Sequence, residues 1–155
     1  MDPTLAALAG ALVGAAATAI VPIVTIRASR RDAALEQRRS DALGLLDALI
    51  RLLKARGIND WQRVMNTHSE AVVAFERLML SAPRRDLEHL ERVTKFSLEG
   101  INDHTHPGLS AAGVEAMSQV LRRWCRGELK GKAIADAYGP AFDVQVDAAE
   151  RAWTS

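Results

Sequence analysis

The chain has 155 residues and carries 20 lysines and arginines against 19 aspartates and glutamates, a net charge of +1. So balanced a sum gives no general pull toward nucleic acid or acidic surfaces, and a lone cysteine, Cys125, excludes a disulfide framework within the chain. Ala, Leu and Arg are abundant and aromatic residues make up 5%, a composition that favours helices over sheets.

The opening segment Leu5–Ile26 has no charged side chain. A helix needs roughly 20 residues to cross a bilayer, so the segment predicts a single N-terminal transmembrane helix. The only charge ahead of it is Asp2, whereas Arg27, Arg30 and Arg31 follow it. A secretory signal needs its positive charges in front. The basic flank marks the cytoplasmic side, which places the N-terminus outside, the bulk of the chain in the cytoplasm, and the protein in the cytoplasmic membrane. Membrane lipid is then a partner, met at the surface by Arg27, Arg30 and Arg31. Ala6, Gly10, Gly14 and Thr18 recur every four residues, a small-residue stripe suited to helix packing and homo-oligomerisation in lipid.

From Arg27 the helix can continue as a juxtamembrane stalk. Ala28, Leu35, Ala42 and Leu49 recur every seven residues, with Leu46 and Leu53 on the alternate seam. Gly57 after Lys54 and Arg56 is an ordinary helix end. Asn59 or Asp60 can cap a second helix, whose apolar face reads Trp61, Val64, Met65, His68, Val72, Phe75, Leu78 and Met79. Pro83 breaks the chain before a third helix, Arg84 to Ile101, with Leu87, Leu90, Val93 or Thr94, Leu98 and Ile101 on one side. A loop from Gly100 to Gly108 leads to a fourth helix, Ser110 to Arg126, with Ser110 as N-cap and Val114, Met117, Val120 or Leu121, and Trp124 facing inward. Pro140 divides the last region into two short helices, with Ile134, Tyr138 and Phe142 on a shared face. The expected fold is all-α: a transmembrane helix (1–26), a stalk and first bundle helix (27–57), and the rest of an antiparallel cytoplasmic bundle (58–155).

Candidate chemistry is sparse. Asp103, His104 and His106 form the only cluster with metal-ligand character, and it supplies three ligands at most. Cys125 sits beside Arg123 and Arg126, whose charges would lower a thiol pKa, but no base stands near it in sequence. Arg122, Arg123, Arg126, Lys130 and Lys132 form a basic patch for a protein partner or anionic lipid. Nucleotide, hydride-cofactor, zinc-protease and serine-hydrolase motifs are absent, so no cofactor, catalytic residue, enzymatic activity or nucleic-acid partner is expected. The sequence reading is a membrane-anchored helical scaffold, adaptor or regulatory subunit acting on an unidentified protein partner. Its alternatives are an oligomerising, membrane-permeabilising protein and a metal sensor or enzyme using His104 and His106.

Overall fold

The computed structural model describes the backbone at 3–58, 60–102 and 107–153, and the side chains at 29–58, 60–101 and 108–151. Over these residues the chain is all-α, with helices α1 (Pro3–Gly57), α2 (Trp61–Ser81), α3 (Leu87–Asn102), α4 (Pro107–Cys125) and α5 (Lys132–Trp153). It divides into two units, Met1–Glu36 and Gln37–Ser155. In the first, the described side chains at 29–36 are all exposed, as Arg30, Arg31, Asp32 and Glu36 require.

The second unit is built around α1 from Gln37 onward. Leu45, Leu49 and Leu52 are fully buried there, with Ala42, Ala48 and Ala55 beside them. Each buried leucine contributes about 2 kcal/mol of transfer free energy. The turn into α2 is capped by Asp60, whose carboxylate accepts from the Arg63 amide at 3.1 Å. Arg38 Nε donates to the Ser81 carbonyl at 3.1 Å, and Arg51 lies 3.4 Å from Glu70. Contacts at 38 with 81 and at 51 with 70 make α1 and α2 antiparallel.

The face that α2 buries is only part of the one its apolar residues mark. Val64 and Leu78 are buried and Phe75 and Met79 pack against the core, with Thr67 and Ala71 added to the buried side, whereas Trp61 and Met65 are 69% and 50% exposed and Val72 is exposed with them. In α3 the expected side is buried through Leu90, Val93, Thr94 and Ile101, with Ser97 added. The helix starts three residues later than the sequence suggests, because Pro83 to Asp86 forms a turn closed by a 2.8 Å bond from the Asp86 amide to the Pro83 carbonyl. Ser110 is not an N-cap. It lies inside α4, buried, and donates to the Gly100 carbonyl at 2.7 Å, satisfying an acceptor near the end of α3. In α4 the inward residues Val114, Met117, Val120, Leu121 and Trp124 are all buried.

Pro140 does not divide the last region: α5 runs through it. Gly139 precedes it, and without a Cβ this residue escapes most of the clash that keeps a pre-proline residue out of the helix. Packing of Ile134 and Tyr138 against the core offsets the missing backbone donor.

Among the described residues no helix is long and apolar enough to cross a membrane. The membrane-anchored description is corrected accordingly. The findings support an all-α, five-helix bundle, without the expected spanning helix, lipid partner, cytoplasmic-membrane localisation or bilayer-permeabilising role. The physical reason is visible in the helices themselves. From residue 29 onward each buries one apolar stripe and carries charged side chains on the rest of its surface, which no bilayer core tolerates. The side chains of Leu5–Ile26, including the Ala6, Gly10, Gly14 and Thr18 stripe, and that of Arg27 lie outside the described residues, and nothing described supports an oligomer through that stripe.

A candidate binding cleft between α3, α4 and α5

Among the described residues the sequence-derived candidates do not assemble into a site. Asp103, His104 and His106 lie outside the described residues, and among the described residues no group of three or more His, Cys, Asp or Glu could hold a metal ion. Arg30 and Arg31 are exposed on α1. The basic patch at the end of α4 is partly neutralised: Arg122 meets Glu115 at 3.0 Å, and Arg123 and Arg126 face the two carboxylate oxygens of Glu128 at 3.4 and 3.7 Å. Lys130 and Lys132 are exposed beside it. These pairs bring two carboxylates against five cationic side chains, so the patch keeps a net positive charge. Cys125 is partly buried, and burial pushes its thiol above the ordinary value against the lowering pull of Arg39 and Arg38. The local arginines suggest an activated thiol; desolvation produces the reverse.

What the sequence reading missed is a cleft of about 500 Å³ between α3, α4 and α5. Val93 and Phe96 of α3, Leu109 of α4, and Ala135 and Phe142 of α5 supply its apolar walls. Each helix also contributes a glycine: Gly100 from α3, Gly113 from α4 and Gly139 from α5. None of the three has a positive φ, so backbone conformation does not demand glycine at Gly100 or Gly113, while Gly139 is favoured by the proline that follows it. Each costs its helix about 1 kcal/mol relative to alanine. A Cβ on Gly113 would lie 3.3 Å from Tyr138 Oη and 3.9 Å from Phe142 Cε2, so this glycine lets α5 come close. A Cβ on Gly100 or Gly139 would meet nothing within 4 Å, so those two leave open space instead.

Three polar side chains line the cleft. Tyr138 stacks with Phe142 at a ring separation of 6.1 Å, and its hydroxyl lies 3.2 Å from Ser97 Oγ. Burial raises the Tyr138 pKa, with the Ser97 bond acting in the opposite direction. Arg92 stands at the α3 lip with its guanidinium carbon 5.9 Å from the Phe96 ring centroid, a cation–π arrangement. Asp136 is exposed on the α5 lip. The signal available in the sequence is three glycines, Gly100, Gly113 and Gly139, each within a helix. No protein family matches the chain, and comparison with curated proteins and with solved structures returns no match.

Proposed function

We propose that the bundle is a binding module for a small, mostly apolar organic molecule held in the cleft between α3, α4 and α5. Such sites are concave, apolar and furnished with a few polar groups, which describes this lining. The observation that carries the reading is the cleft itself, with apolar walls from three helices and two glycines, Gly100 and Gly139, on its lining where a Cβ would meet nothing within 4 Å.

Binding without catalysis is the form of function proposed. The polar side chains of the lining are Arg92, Asp136 and Tyr138, and they contain no nucleophile with an adjacent base of the kind covalent catalysis uses.

Titration with the neutral fluorophore Nile red tests the reading. The parent protein should show saturable fluorescence enhancement. Gly100→Leu, which projects a side chain into the cleft, should weaken binding by at least about tenfold while its melting temperature stays at or above that of the parent. Absence of saturable binding, or equal affinity in the filled variant, would overturn it.

A further inference from the structure

We propose that one end of the bundle is a docking surface for the phosphate backbone of duplex nucleic acid. The near-neutral total charge conceals how the fold sorts its charged residues. Three segments distant in sequence meet at this end. Arg38 Nε donates to the Ser81 carbonyl, the Gly131 amide and Trp124 Nε1 both donate to Asp86, and Cys125 feels the charges of Arg39 and Arg38. Residues 37–39, 81–86 and 122–132 are therefore neighbours. They contain nine arginines and lysines against two carboxylates, Asp86 and Glu128, whereas the rest of the chain holds 11 against 17. Asp86 is buried, with both oxygens accepting hydrogen bonds. Glu115, paired with Arg122, and Asp41, Glu88 and Asp136, further along their helices, reduce the excess without cancelling it.

All nine cations are exposed except Arg38, which is half-buried. Seven of them are arginines, whose planar forks match two oxygens of one phosphate. The surroundings then select among polyanions. An acidic protein surface or a bilayer asks for an apolar centre as well as charge. Within the three segments no large apolar side chain is exposed, and Leu80, just outside them, is a single exposed leucine. A single strand asks for aromatic rings on which its bases stack. The one aromatic residue of these segments, Trp124, is buried and bonded to Asp86. A duplex backbone asks for neither, because binding to it is carried by charge and the release of counterions.

The test is fluorescence anisotropy of the full chain with labelled DNA and RNA duplexes of about 20 base pairs, beside a single strand of the same length and vesicles of phosphatidylglycerol. Binding to either duplex supports the proposal, and their ratio identifies the source of the backbone. The logarithm of the affinity should fall with the logarithm of salt concentration at a slope of about −3 or steeper, as neutralisation of several phosphates requires. Lys130→Glu with Lys132→Glu should weaken duplex binding by at least about tenfold and flatten that slope, with melting temperature and Nile red binding unchanged. Lys54→Glu with Arg63→Glu alters the net charge equally, but at the end of α1 and the start of α2, the opposite end of the bundle. It should cost less than about twofold. Equal losses in the two double variants would make the effect one of total charge and overturn the assignment to this end. Absence of duplex binding at low salt, or tighter binding to the single strand or to the vesicles, would overturn the proposal.

Discussion

Trp124 Nε1 donates a 3.0 Å hydrogen bond to Asp86 Oδ2, and both residues are buried. The second carboxylate oxygen of Asp86 accepts the Gly131 amide at 2.7 Å, and Arg85 Nε stands 3.6 Å from it at the surface. Asp86 occupies the residue before α3, and its own carbonyl accepts the Leu90 amide. Its side chain is turned away from the first turn of the helix it precedes. One carboxylate thus ties the start of α3 to the end of α4 and to the link before α5. Gly131 has a φ of +52°, a left-handed conformation that a side chain would oppose, so the donor on that link is held in place by its residue type. The three helices joined here are those that line the cleft.

Removal of this bond should be costly because both partners are buried. Asp86→Asn places an amide N–H₂ where the carboxylate faced two donors, leaving at least one donor without an acceptor. A loss of about 3 kcal/mol is expected, from charge-assisted bonds of roughly 1.5–3 kcal/mol each. Trp124→Phe should cost about 2 kcal/mol. Measured by urea unfolding, the double variant should lose less than the sum, with a coupling of at least about 1 kcal/mol. Simple additivity would show that the pair does not interact energetically.

Thr94 presents the opposite case. It is fully buried on the inner face of α3, and its hydroxyl has no hydrogen-bond partner. A desolvated, unpaired hydroxyl costs roughly 1–3 kcal/mol. Thr94→Val keeps the shape and replaces the hydroxyl with a methyl group, so it should stabilise the bundle by about 1 kcal/mol. A decrease in the denaturation midpoint would mean that the hydroxyl has a function the static packing does not explain.

The helices and most inward faces were legible because burial in α3 and α4 follows the local 3.6-residue period. Val114, Met117 and Trp124 needed no tertiary information. The second helix followed the same rule only in part: Val64 and Leu78 are buried as the period predicts, but Trp61 and Met65 are exposed and Thr67 and Ala71 take buried positions beside them. The burial of Asp86 has no local sign in the sequence, since its partner Trp124 lies 38 residues away. Ser110 read as a cap because serine before an apolar run usually is one, yet its partner is the Gly100 carbonyl on another helix. The cleft was illegible for the same reason. Its glycines lie on three separate helices, and no one-dimensional pattern states that they converge.

Tyr138 should make stability depend on alkaline pH. Burial holds its hydroxyl pKa above the ordinary value, the Ser97 hydrogen bond opposing. The folded chain therefore retains this proton where the unfolded chain has begun to lose it. The contribution is complete below the ordinary tyrosine range and disappears as pH rises through the raised value. In Tyr138→Phe nothing titrates at this position, so urea midpoints measured from about pH 8 to about pH 11 should fall less steeply than in the parent. Parallel curves would show that Tyr138 ionises in the folded state as freely as in the unfolded chain.

Pro140 stands inside α5 at a cost to stability. A proline inside a helix forfeits one hydrogen bond and strains the preceding turn, at a cost of about 3 kcal/mol. Pro140→Ala restores a donor to the Asp136 carbonyl, so the variant should unfold at a higher urea concentration than the parent, by up to that amount. Nile red binding reports the other consequence, because Gly139 beside the proline lines the cleft. Weaker binding by the variant would show that a straightened α5 narrows the cleft, and unchanged binding with a rise in stability would show that the proline carries a cost for which this cleft gives no return.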